Sequence, residues 1–212
     1  VSLDRRSLGH PSLPVVNDLR LYGRRVTLRS LTADDFDQFS DVRLRNESWL
    51  RPWEPRRSEQ FGDPARHRDV FAARCQQRTR DRQNGIAYGF GLFVDQRFIG
   101  EVNINNVVRG AMQGGTIGYW IDRARAGQRY VAEGVTVLMR FGFEELRLHR
   151  LEICIVPRND RSRRVMEVLA IREEGIAHRF LEIDGTWEDH VRYGITLEEW
   201  HSRRSELAAA WL

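Results

Sequence analysis

Two runs of strand-forming residues, separated by only two others, constrain this chain most. "IAYGFGLFV" (86–94) and "RFIGEVNINNVV" (97–108) leave Asp95 and Gln96 as their whole connection. A link that short joins antiparallel neighbours, because a parallel crossover needs a dozen or more residues. An antiparallel hairpin is therefore the seed of the fold. "RGAMQGG" (109–115) turns the chain into a further strand, "TIGYWI" (116–121), and "RRVTLRSL" (24–31) alternates as a strand upstream.

Helical periods surround these strands. "TADDFDQFSDVRLRN" begins with Thr32 as an N-cap and carries acids in its first turn. "WLRPWEPRR" (49–57) breaks that helix with two prolines and is expected to leave Trp49 and Trp53 in a loop. Residues 63–83 read as a helix, as do residues 130–146, with Val131, Val135, Leu138 and Leu146 on one side. "HRLEICIV" is a strand ended by Pro157, and "NDRSRRVMEVLA" is a second short helix. "IAHRFLEID" and "EDHVRYGIT" form a last hairpin turning at Gly185, and a helix starts near Glu198. This order implies one α+β domain over 24–212 built on a central sheet, with residues 1–23 as an N-terminal arm.

At 212 residues, one sizeable core can form. No apolar stretch approaches the roughly 20 residues of a membrane span, and "VSLDRRSLGHPSLP" lacks the apolar core of a signal peptide. Cys75 and Cys154 fit neither a metal spacing nor a disulfide framework, so no metal and a reducing cytoplasm are expected. All 34 basic residues are Arg. A coding bias accounts for the missing lysine, but the chemical consequence stands: guanidinium groups grip phosphate in a bidentate fork. A net charge of +4 suits anionic partners without arguing for nucleic acid.

The segment "DRARAGQRYVAEGV" (122–135) sets Gly127 among arginines directly before a helix. Helix N-termini carry unpaired N–H donors and partial positive charge, so this is either a phosphate cradle or a plain structural turn. It links a middle strand to a helix, where open α/β sheets place their ligands. Alternation along "FIGEVNINN" assigns Phe98, Gly100, Val102 and Ile104 to one face and Ile99, Glu101, Asn103 and Asn105 to the other. A polar row on a central strand implies a cleft or a hydrogen-bonded face. Glu101 is the candidate general base; Glu152 fits a structural acid better, and Glu182 and His190 lie in the final hairpin.

Taken together, "WLRPWEP", "GLFVDQRFIGEVNINNVVRGAMQGGTIGYWI", "LHRLEICIVPRNDRSRRV" and "REEGIAHRFLEIDGTWEDHVRYGITLEEW" resemble the GNAT superfamily of N-acetyltransferases. Within it the likeness is to the RimJ/RimL ribosomal-protein-alanine enzymes, and to RimJ more than RimL, over about 24–200. The resemblance implies a GNAT-like domain with a mixed, mostly antiparallel sheet and helices on both faces. It also implies acetyl-CoA as co-substrate and direct transfer to an N-terminal amine of a protein, a ribosomal protein being the model acceptor; a small amine or a non-catalytic acyl-CoA-binding role are the alternatives.

By the same resemblance, Trp120, Ile121, Gly127, Gln128, Arg129, Tyr130, Val131 and Ala132 would hold the cofactor. Asn159 would meet the CoA arm, and the Ser162 hydroxyl would approach the sulfur as the second catalytic group. Trp49, Trp53 and Asn103 are the expected acceptor-side residues. The family's loop pattern, close to Q/R-x-x-G-x-G/A, is broken here at Ala126, Arg129 and Val131. If residue 129 needs a positive φ, its Cβ costs on the order of 1 kcal/mol; a charge-assisted bond from its guanidinium would contribute roughly 1.5–3 kcal/mol.

Overall fold

A computed structural model of the chain describes residues 19–56 and 62–212. Among these residues eight strands form one sheet in the order β1-β2-β3-β4-β5-β6-β8-β7. They are β1 (Arg20–Tyr22), β2 (Thr27–Arg29), β3 (Tyr88–Val94), β4 (Arg97–Val108), β5 (Gly114–Ile121), β6 (Arg150–Ile155), β7 (Arg172–Ile183) and β8 (Thr186–Thr196). All neighbours run antiparallel except β5 and β6. The expected mixed α+β fold is the one observed. Most of the proposed arm at 1–23 lies outside the described residues, but its end contributes β1.

Among the described residues, six α-helices flank the sheet: α1 (Phe36–Arg45), α2 (Glu47–Leu50), α3 (Arg68–Gln83), α4 (Tyr130–Arg140), α5 (Asp160–Leu169) and α6 (Leu197–Trp211). One core joins Leu28, Phe90, Val102, Ile104, Ile117 and Ile153 to Val135 and Leu138 of α4, Met166 of α5 and Trp200 of α6. The other joins Phe93 and Phe98 to Phe39 of α1 and Phe71 and Cys75 of α3. The helices thus cover both faces.

Three local expectations change. The segment holding Trp49 and Trp53 is not an open loop but two consecutive helical turns, α2 and a 3₁₀ turn over Arg51–Trp53. Pro52 sits inside the first turn of that 3₁₀ segment, where its missing N–H costs nothing. The helix expected to reach Leu146 gives way at Phe141–Glu145 to a π-type turn.

The third change affects the site. β3 and β4 slip register between Leu92 and Phe93, which face Gly100 and Phe98, so Ile99 is the extra residue of a β-bulge. Phe98 therefore points toward α1 and α3, with Ile99 on the opposite face beside Val102 and Ile104. Gly100 makes the bulge possible: a Cβ there would lie 2.2 Å from the Trp120 carbonyl oxygen.

Between β5 and β6 the sheet opens. They pair in parallel only from Gly114–Thr116 to Arg150–Glu152. Past that point β5 keeps β4 on one side and, among the described residues, has no strand on the other, so alternate backbone groups of 117–121 face a wedge-shaped gap.

Candidate active site

The wedge is the floor of a cleft of about 1030 Å³ lined by β5, the 123–132 loop and α4 start, α2 with its following turn, and α5. The loop is fixed from behind by Asp122, a buried carboxylate that accepts hydrogen bonds from Arg45 at 2.6 Å, Asn46 at 2.8 Å and the Ala124 N–H at 3.2 Å. Burial opposes its charge, yet these donors hold the Asp122 pKa below the usual carboxylate range. The Arg123 N–H completes the anchor on the Asn46 side-chain oxygen at 2.9 Å.

Past that anchor, Gly127 (φ +78) and Arg129 (φ 66) both turn left-handed. The first helical bond of α4 runs from the Glu133 N–H to the Arg129 carbonyl, and among the described residues the N–H groups of 127–132 have no acceptor. Glu133, buried in the first turn, accepts from the Val26 N–H and Arg25 Nε, each at 2.9 Å and 2.9 Å, and from the Arg25 N–H. Arg25 in turn donates to the Gln128 carbonyl at 3.2 Å and stacks 4.7 Å from the Tyr130 ring. The loop is thus held open by groups outside it, with its donors spare.

Cations ring this opening. Arg123, Arg125, Arg129, Arg161 and Arg164 line the cleft; Arg164 pairs with Glu167, and the other four have no ion-pair partner among the described residues. The Trp49 ring lies between two of them, 5.4 Å from the Arg123 guanidinium and 4.5 Å from that of Arg161. Unpaired backbone donors beside unpaired guanidiniums suit a polyanion such as a pyrophosphate.

On the far wall, Asn159 caps α5 by accepting from the Ser162 N–H at 3.2 Å. The Ser162 hydroxyl lies 2.8 Å from the Tyr119 phenol oxygen. Tyr119 is a cleft-lining residue that sequence reading missed. Its place in "TIGYWI" reads as a core aromatic; the one available signal was its hydroxyl, which needs a partner when buried.

The family described as an acetyltransferase (GNAT) domain matches residues 25–171. The chain belongs to that family. It is 32% identical to the [ribosomal protein uS5]-alanine N-acetyltransferase of Escherichia coli, over 87% of this chain and 94% of the relative. It is 31% identical to the probable N-acetyltransferase YjcK of Bacillus subtilis, over 80% of this chain and 93% of that one. Among solved structures, Mycobacterium smegmatis RimJ in complex with CoA-disulfide superposes with a TM-score of 0.78 at 30% identity, covering 90% of this chain and 94% of that chain.

Within this GNAT cleft, Trp49, Trp53, Asn103, Trp120, Ile121, Gly127, Arg129, Tyr130, Val131, Ala132, Asn159 and Ser162 all reach the lining. Gln128 does not; its side chain folds back to the Ala124 carbonyl at 3.3 Å. Asn103 also accepts from the Phe90 N–H at 3.3 Å. The wall carrying Trp49 and Trp53 is tied to the β7–β8 turn, where the Asp184 N–H donates to the Glu54 carbonyl at 2.9 Å. Arg158 ties the same wall together: it stacks 4.6 Å from Trp53, donates to the Pro52 carbonyl at 3.0 Å and pairs with Glu188.

The geometry opposes Glu101 as the base. Only 2% exposed and outside the cleft lining, its carboxylate takes Arg74 at 2.8 Å, Arg78 at 2.7 Å and the Trp120 indole N–H at 2.9 Å. Burial alone would raise its pKa; the two guanidiniums and the indole overcome this and hold it at about 2. So acidic a carboxylate, with its lone pairs engaged, takes no proton at neutral pH. Its place toward α3 explains the polar row as a hydrogen-bonded face, and its effect on the cleft is to fix Trp120. Glu152 is likewise a structural acid, gripped by Arg150 at 2.6 Å and Arg192 at 2.8 Å. His190 is buried with a ring nitrogen 3.1 Å from the Glu188 carbonyl. Glu182 is exposed on the edge strand β7 and does not line the cleft.

Glu54 is a lining carboxylate that sequence reading passed over. Arg43, itself buried and lying 4.8 Å from the Trp120 ring, holds both its oxygens at 2.7 Å. The carboxylate is thereby spent on shaping the wall.

Proposed function

We propose that the chain transfers the acetyl group of acetyl-CoA to the N-terminal α-amine of a protein, with a ribosomal protein as the acceptor class. The observation that carries the donor half of this reading is the run of unpaired N–H groups at 127–132, opening between unpaired arginines onto the β5–β6 wedge. The acceptor half is supported by the relatives named for uS5-alanine acetylation and by the RimJ structure.

Acetyl-CoA supplies an acetyl group activated as a thioester. The 127–132 amides, with Arg125 and Arg129, would hold its pyrophosphate; Asn159 and the wedge edge of β5 would hold its arm. A backbone N–H from the unpaired edge of "GYWI" would meet the carbonyl oxygen as charge grows there. Ser162 would donate to the departing sulfur. The lining has no cysteine, and the neighbour of the Ser162 hydroxyl is a phenol, not a base, so direct attack by the amine is favoured over a covalent enzyme intermediate. Glu101 is spent outside the lining and Glu54 is bound to Arg43, which leaves Asp160, exposed in the first turn of α5, as the other lining carboxylate. An α-amine with a pKa near 8 needs little help, and water suffices.

The test is turnover of an Ala-initiated hexapeptide, the same peptide blocked at its N-terminus but bearing Lys, and a panel of small amines, with the acetylated position read by mass spectrometry. The free N-terminal peptide is expected to be the best substrate. If the blocked peptide or a small amine is best, the N-terminal reading fails.

A further inference from the structure

The Tyr119–Ser162 contact admits two proton arrangements. Ser162 Oγ stands 2.8 Å from Tyr119 Oη, and Tyr119 Oη stands 3.2 Å from the Ser162 carbonyl oxygen. A phenol has one proton. With that proton on the carbonyl, Tyr119 can only accept from the Ser162 hydroxyl, which then turns lone pairs, not a proton, toward the cleft. A departing thiolate needs the opposite. Rotating the phenol proton onto Ser162 Oγ leaves both oxygens in place and frees the serine proton for the cleft. The carbonyl loses little, since in the first turn of α5 it also accepts the i+4 helical bond.

We propose that Tyr119 is a positioning residue that pins the Ser162 hydroxyl at the cleft wall and switches it from acceptor to donor by rotating one phenol proton. This rests on the assignment of Ser162 to the sulfur. No proton leaves Tyr119: burial pushes its phenol pKa well above the ordinary value, so it remains neutral and acts through hydrogen-bond direction alone. The anchoring is long-range. Tyr119 lies on the unpaired half of β5 and Ser162 on α5, so the pair also spans the wedge wall.

The experiment is a cycle of wild type, Tyr119→Phe, Ser162→Ala and the double variant. Two quantities are read: the thiol pKa of bound CoA, from thiolate absorbance against pH, and kcat with acetyl-CoA and an Ala-initiated hexapeptide. Ser162→Ala is expected to raise the bound thiol pKa and lower kcat by about tenfold or more; Tyr119→Phe should do the same to a similar degree with KM for acetyl-CoA unchanged. The double variant should equal Ser162→Ala alone. If Tyr119→Phe keeps wild-type values while Ser162→Ala is impaired, or if the two effects multiply, Tyr119 does not act through Ser162 and the proposal is overturned. If Ser162→Ala leaves both quantities unchanged, the assignment of Ser162 itself falls and takes the proposal with it. The thiol titration needs no acceptor, so it decides even if the hexapeptide is not the substrate.

Discussion

Replacing Glu101 by Gln should cost stability and leave the acid–base chemistry of turnover untouched. Glutamine matches the side chain in size and still accepts from the Trp120 indole, but it leaves Arg74 and Arg78 facing a neutral group in a site only 2% exposed. Removing one partner of a buried ion pair typically costs about 3–5 kcal/mol. Linkage gives a similar figure. A carboxyl held at about 2 in the fold and near its reference 4.5 when unfolded contributes roughly 3 kcal/mol at neutral pH. Because the folded pKa is the depressed one, that contribution is complete above pH 4.5 and is lost as pH falls toward 2. For a chain of this size each kcal/mol moves Tm by about 2–4 °C, so Glu101→Gln should melt about 6–20 °C lower at pH 7. The gap to wild type should narrow steadily below pH 4.5. Thermal melts from pH 7 to pH 3 read both effects, and kcat per folded enzyme should keep the wild-type pH profile. A variant that melts with wild type but loses most of its kcat near neutral pH, with the deficit shrinking as pH rises, would make Glu101 the base after all and refute this reasoning.

The strained loop makes a two-variant prediction. Arg129→Gly should relieve the left-handed backbone and add up to about 1 kcal/mol of stability. Both Arg129→Gly and Arg129→Ala should weaken CoA binding by about 1–3 kcal/mol, by calorimetry; tighter binding by the glycine variant would make the side chain a handicap. Glu133→Ala strips the acceptor from the buried Val26 N–H and the part-buried Arg25 N–H. It should cost about 3 kcal/mol and lower Tm by roughly 6–12 °C, with CoA affinity falling as the loop loosens; an unchanged melt would show that the β1–β2 turn does not brace the loop.

Much of the fold was written locally. The Asp95–Gln96 hairpin, the Asp184–Gly185 hairpin, the Asn159 cap and the Gly127 loop each depend on residues a few positions apart, where turn chemistry and period decide the outcome. These are also the parts that carried the family resemblance. What sequence alone could not decide was which groups meet across elements. One bulged residue, Ile99, reverses the facing of Phe98 and Ile99, because a period of two has no memory past an inserted residue. Glu101 became a buried structural anion only when α3 brought Arg74 and Arg78 against β4. Tyr119 and Ser162, on β5 and α5, meet only because the sheet splays past Thr116 and lets that helix close on the exposed strand edge. Local sequence sets turns and caps through short-range sterics and hydrogen bonds; the charge state of a buried acid and the partner of a buried hydroxyl are set by the packing of distant segments.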